Sequence, residues 1–239
     1  MIERANALFD EIRHCVRKGN CWGEKNPTCR KPVVLPCRLQ PEVMIVTEQM
    51  NLPKEEWKKN PKIIPKEWDS SETLLNNIKM VKEGKRKTGI IPPINRLFNG
   101  RFLEDFSADE MSFGKLYWTH FIKCPGKLRS TAFERVSESE SDICADTFLS
   151  KEIRVLRPKI IVCLGGYAST WVLKRTGYQH RWTDLLWEEI EWVARGKKQI
   201  PEREIAEINH RAKIVVLPHP SGINPLASLL NQKLRYLLF

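Results

Sequence analysis

Three short branched apolar runs constrain this chain more than any other feature. Ile160, Ile161, Val162 and Leu164 lead into Gly165 and Gly166, EVMIVTE spans 42–48, and KIVVLPHPSG spans 213–222. Each stops abruptly in polar or turn-forming residues. Continuous runs of this kind mark strands buried on both faces, as in an open, mainly parallel α/β sheet. Such sheets place their ligand sites beyond the C-terminal strand ends. The glycine pair gives the central strand a tight exit into a short helix over 167–175, without a full dinucleotide fingerprint around it. Leu116–Ile122 supplies a further, aromatic strand. The expected fold is therefore α/β: a single three-layer domain over 1–239 with a mainly parallel central sheet.

Helical periodicity fills the intervals. Ala5, Leu8, Phe9 and Ile12 repeat over 3–14, and Leu74, Leu75, Ile78 and Val81 mark a short helix. Ile143, Phe148, Leu149, Ile153 and Leu156 form the apolar face of a mainly helical stretch over 132–156. Leu226, Leu229, Leu230, Leu234 and Leu237 predict a C-terminal helix docked on the sheet. Trp182, Trp187 and Trp192 recur with Leu186 and Ile190, a stripe expected to pack into the core. The proline-interrupted, lysine-rich stretch over 49–114 reads as a basic insertion, a lid or a nucleic-acid-facing loop.

Forty Lys/Arg against 29 Asp/Glu give a formal charge of +11. That balance favours a polyanionic partner, nucleic acid foremost. Within the insertion, Lys54, Lys58 and Lys59 accompany Trp57 and Trp68, the combination that binds phosphates and stacks exposed bases. A solvated loop anchored by its tryptophans is the competing reading. No apolar run approaches a membrane span, and MIERANALFDEIRHC lacks the apolar centre of a secretory signal. The expectation is an intracellular protein, cytoplasmic or nucleoid-associated, without a membrane partner.

Of seven cysteines, Cys15, Cys21, Cys29 and Cys37 crowd the N-terminal region, whereas Cys124, Cys144 and Cys163 are spread through the later core. An intracellular chain argues against a disulfide scaffold. Four thiolates suit zinc or an iron–sulfur cluster, and the spacing alone does not choose the metal. The alternative is a set of buried small hydrophobes, which suits Cys163 best.

In order along the chain, VMIVTEQMN, YWTHFIKCPG, CADTFLSKEIRVLRPKIIVCLGG and VVLPHPSG resemble the uracil-DNA glycosylase superfamily, most closely its iron–sulfur class. The first motif is divergent, and a poorly matching insertion separates it from the second. The resemblance implies a glycosylase that extrudes a deaminated base, uracil by default, from DNA with a flipped base or from single-stranded DNA. A monomer is expected, leaving an abasic site. Glu48 matches the acidic position that orients water, and His219 the histidine that stabilises charge on the departing base. Gln49, His120, Ser221, Gly222 and Asn224 would contact the substrate, with His120 where the family commonly presents asparagine. Thr47 stands in place of the usual leading glycine. Cys124 and Cys144 match the later ligands of a 4Fe-4S cluster, with Cys15 and Cys21 as the N-terminal pair, and Cys29 or Cys37 as substitutes for one of them. Structural zinc is the lesser alternative. A DNA-binding relative with a changed or absent reaction is the alternative function.

Overall fold

The structure is a computed structural model that describes residues 2–15, 31–38, 40–51, 54, 64–65, 67–126, 142–197, 200–220, 230 and 233. In chain order the elements are α1 (Ile2–Arg13), β1 (Val43–Asn51), α2 (Ser70–Lys82), α3 (Ile91–Leu97), α4 (Arg101–Asp105), β2 (Phe106–Ser107), β3 (Ser112–Phe113) and β4 (Leu116–Gly126). A π-helical turn over Ala145–Leu149 then leads into α5 (Ser150–Leu156), β5 (Ile160–Leu164), α6 (Gly166–Arg175), α7 (Trp182–Ala194), β6 (Glu202–Ile205) and β7 (His210–Leu217). The central sheet has five strands in the order β4-β1-β5-β7-β6, parallel except for β6. The mainly parallel α/β sheet expected from the apolar runs is thus present.

Side-chain alternation along β4 shows the layering. Tyr117 stacks on Phe9 of α1 (centroids 5.6 Å apart) and donates to Glu152 of α5, whereas its neighbour Trp118 meets Phe102 of α4 edge-on at 5.4 Å. Helices therefore cover both faces. Ile161, Val162, Cys163 and Leu164 of β5 are all buried, as a strand covered on both sides requires.

Two local devices set the position of β4. The carboxylate of Asp105 accepts from the backbone N–H groups of Gly114, Lys115 and Leu116 at 2.8–2.9 Å, pinning the entry to the strand. A Cβ on residue 114 would lie 2.9 Å from that carboxylate, so only glycine allows the approach. The outer edge of β4 is met by residues 31–38, where Val33 N–H donates to the Lys123 carbonyl at 2.7 Å. Val33, Val34 and Leu35 are buried in the process, and α2 ties the segment down through Ser70 Oγ to the Lys31 carbonyl and Val34 N–H to Ser71 Oγ. Covering an edge this way blunts its tendency to pair with other chains.

Several expectations need correction. β1 continues to Asn51 and β4 to Gly126, so Glu48, Gln49 and Cys124 lie inside strands, not beyond their ends. The extension is irregular: Gln49 pairs with Ile122 but Asn51 with Gly126, because Pro125 has no N–H to offer the ladder. β7 starts earlier than expected, at His210, and stops at Leu217 before Pro218. β6 escapes a hydrophobic reading because its alternate residues, Glu202 and Glu204, face solvent. In α7 the tryptophan stripe is core only in part: Leu186 is buried and Trp182 and Ile190 pack against the core, but Trp187 is 54% exposed and Trp192 only partly covered. The basic run Lys85–Lys87 follows the end of α2, whose Lys82 Nζ contacts the Phe106 carbonyl. That is the entry end of β4, opposite the strand ends that carry the motifs. The C-terminal helix falls almost entirely outside the described residues, where Leu230 and Lys233 alone are seen buried.

Candidate active site

Register brings the motifs to one level. His120 pairs with Thr47, Thr47 with Leu164, and Leu164 with Leu217. Gly165 and His219 therefore lie just past the C-terminal ends of β5 and β7, with Glu48 at the same level inside β1, on the side where an open α/β sheet holds its ligand. Gly165 has φ +104° and accepts no β-carbon cheaply; its amide donates to the Leu217 carbonyl at 2.8 Å. His219 packs over it, with its Cβ 3.6 Å from where a Cβ on Gly165 would sit. Gly166 lies in turn against the indole of Trp182, at 3.2 Å by the same construction. The pair thus serves two ends: Gly165 the left-handed turn below His219, and Gly166 the close approach of Trp182.

His120 is the most informative side chain of the site. It is 2% exposed, its ring lies against Trp118 with centroids 5.3 Å apart, and its Nδ1 is buried without a hydrogen-bond partner. Burial, reinforced by the nearby charges of Lys123 and His219, pushes its pKa down to about 3. The ring is neutral at pH 7 and its polar edge is unspent. Burial also lowers the pKa of His219, which is therefore biased toward the neutral imidazole. Thr47, where a glycine was expected, fixes the neighbouring wall: its Oγ1 accepts from Trp118 Nε1 at 2.9 Å and donates to the Thr119 carbonyl at 3.2 Å. Trp118 escaped the sequence reading, although its place two residues before His120 puts both on one strand face.

The acidic motif is arranged less simply. Thr47 and Gln49 share the face of their register partners His120 and Ile122, and alternation turns the half-buried Glu48 toward the other. Gln49 Nε2 donates to the Cys124 carbonyl at 2.7 Å.

Beneath that face runs a buried polar chain the sequence did not announce. Glu152 accepts from Tyr117 Oη at 2.6 Å and Thr119 Oγ1 at 3.0 Å, and pairs with Lys123 Nζ at 2.5 Å. Both members of the ion pair are 1% exposed. Burial first, then the charge of Glu152, raises the pKa of Tyr117.

The cysteines separate by position. Lys123 N–H donates to Cys144 Sγ at 3.4 Å, which places that sulfur one residue from Cys124. Cys124 is disulfide-bonded, whereas Cys15, Cys37, Cys144 and Cys163 form no disulfide. Cys15 closes α1, which packs on α5. Cys37 pairs with Phe113 at the opposite end of β4, a span of seven or more residues at about 3.3 Å each from Cys124, which removes it as an alternative ligand. Burial pushes its thiol up to about 12. Cys163 is fully buried in β5 with its thiol raised by burial, the core role expected of it. Among the described residues no group of three or more His, Cys, Asp or Glu side chains gathers as a metal site. Cys21 and Cys29 lie outside them.

Of the basic loop, Lys54 is exposed, while Trp57, Lys58 and Lys59 lie outside the described residues. Trp68 is an anchor: its indole N–H donates to Thr73 Oγ1 at 2.9 Å and its ring packs on Ile64. Ser221, Gly222 and Asn224 are also outside the described residues.

Fold and site together define a mainly parallel α/β protein whose motif residues meet at the C-terminal strand ends. The sequence model of the uracil DNA glycosylase superfamily matches residues 69–237. The chain belongs to that superfamily, whose members act on DNA, and its class of activity is that of a DNA glycosylase. The match takes in β4, β5, β7 and His219 but begins after β1, so Glu48 lies outside it. No curated protein matches the chain. No helix among the described residues is long and apolar enough to cross a membrane.

Proposed function

We propose that this protein is a monofunctional glycosylase that hydrolyses the N-glycosidic bond of a deaminated base in DNA, uracil by default. The observation that supports the base class is His120, buried and neutral with Nδ1 unpartnered. With the ring proton on Nε2, Nδ1 is a lone acceptor. Deamination turns the ring nitrogen beside the lost amino group from an acceptor into an N–H donor, in pyrimidines and purines alike. A lone acceptor therefore rewards the deaminated base and leaves an unmodified cytosine or adenine facing it unpaired, a costly mismatch in a dry pocket. An extruded base would be read this way with Trp118 behind the imidazole. His219 would stabilise negative charge developing on the leaving base, and Glu48 would orient the water that attacks C1′. The released products are the free base and an abasic site.

In this reading, Cys124 and Cys144, with Cys15 and Cys21, hold a 4Fe-4S cluster. The support is that Cys144 Sγ accepts from the N–H of Lys123, the residue before Cys124 in β4. The cluster would order the long connections, and the excision needs no redox step. Lys54, Trp57, Lys58 and Lys59 would contact DNA ahead of the anchored Trp68, and the protein would act as a monomer.

A second reading, a DNA-binding relative that has lost the reaction, is favoured by the alternation that turns Glu48 from the His120 face. A product-resolved assay decides. Duplex and single-stranded DNA carrying uracil, hypoxanthine, xanthine or normal bases is incubated with protein, released base is identified, and strands are analysed before and after alkali. The expected result is base release with alkali-labile sites from at least one deaminated lesion. Glu48→Gln and His219→Ala should each lower kcat, the latter by about a hundredfold for a lost stabilising donor of roughly 3 kcal/mol. Binding without release across the whole set establishes the second reading.

A further inference from the structure

Gln49 stands next to the acidic residue of the first motif, yet its amide nitrogen is engaged by main chain. The acceptor is the carbonyl of Cys124, 2.7 Å away and 75 residues on in sequence. The bond falls where the β1–β4 ladder is interrupted: Gln49 is opposite Ile122, regular pairing resumes only at Asn51 with Gly126, and Pro125 supplies no donor between. A side-chain amide thus replaces a missing backbone bond across the gap. Residues 123–124 are held from every side at that point. Val33 N–H donates to the Lys123 carbonyl at 2.7 Å, Lys123 N–H to Cys144 Sγ at 3.4 Å, and Lys123 Nζ pairs with Glu152. Three of these contacts fasten the Lys123–Cys124 segment to its own layer of the fold. Gln49 connects it by a side chain to the strand that carries Glu48.

We propose that Gln49 is a positioning residue: it couples the cysteine site at Cys124 and Cys144 to the end of β1, so that the state of that site sets the placement of Glu48. The proposal rests on the reading above for the roles of Glu48 and the cysteines, but the coupling itself is a mechanical property of the two strand ends. The bond commits one of the two N–H donors of the Gln49 amide to main chain.

The test compares the reconstituted protein with Gln49→Leu, which keeps the bulk and removes the donor. Amide hydrogen exchange is followed by mass spectrometry over 43–51 and 116–126, beside iron content, visible absorbance and steady-state base release. Loss of one hydrogen bond is expected to speed exchange at the end of β1 by about tenfold. Iron content and absorbance should stay as in the parent, and kcat should fall with KM little changed. The decisive comparison is a cycle. Removing the cluster, by Cys144→Ser or by chelation where that variant does not fold, should speed exchange over 43–51 in the parent and add nothing in Gln49→Leu. Unchanged exchange in Gln49→Leu overturns the proposal, as does an additive response to cluster removal. A rise in KM with kcat and exchange both unchanged overturns it too, and makes Gln49 a base contact. A parent that releases no base leaves the exchange cycle to decide alone, so failure of the glycosylase reading is distinguishable from failure of this one. A parent that takes up no metal is tested by the first exchange comparison.

Discussion

His120 concentrates what is unusual at the residue scale. Burial holds its imidazole neutral, and the depressed pKa has a consequence for stability. Below the ordinary imidazole value of 6.5 the unfolded chain binds a proton that the folded one refuses until about pH 3. The unfolded state then holds more protons, so stability is full above 6.5 and falls as pH drops through that window, by about 1.4 kcal/mol per pH unit at its steepest. His120→Asn removes the titration. Urea unfolding at pH 7, 5 and 4 should show a shallower acid loss for the variant than for the parent; parallel losses would mean that His120 is not held neutral. The same substitution restores an amide with its own donor and acceptor, and base preference should shift while general DNA affinity holds.

At the scale of the element, β4 is held from three directions. Its entry is fixed by Asp105, its outer edge by the 31–38 segment and its buried face by Glu152, which gathers Tyr117, Thr119 and Lys123. A buried ion pair need not outperform a well-packed apolar substitute, but stripping one partner strands the other charge in a dry interior. Glu152→Ala should therefore lower the free energy of unfolding by about 3–5 kcal/mol in urea titrations at neutral pH. A joint Glu152→Leu, Lys123→Met replacement should recover much of that loss. A small effect of Glu152→Ala would show that water reaches Lys123. On the opposite side of the fold, α7 carries an outward Trp187 between Glu188 and Glu191, all exposed. That acidic face sets α7 apart from the basic surface expected to meet DNA.

At the scale of the whole molecule, a formal charge of +11 predicts DNA binding that weakens with salt. A plot of log affinity against log salt should be linear, with a slope near −0.7 for each single-strand phosphate neutralised. Replacing Lys54, Lys58 and Lys59 together should flatten it, and an unchanged slope would move the interface elsewhere. Metal removal belongs to the same scale: an anaerobically reconstituted preparation should be brown with four irons per chain, and Cys124→Ser should lose both the colour and part of the stability. Zinc without iron would identify the structural alternative. Apolar runs and turn residues determined the strand count of the parallel core and the helix over 167–175, because burial on two faces and helical period are written locally. Local pattern says nothing of partners distant in sequence. Only the tertiary structure put the Gln49 amide on Cys124, Trp118 behind His120, Glu152 beneath β4 and Cys37 at the far end of the sheet. It also turned Trp187 outward, since a helix of the right period can pack on either edge of its apolar stripe, and the neighbouring elements decide which edge is covered.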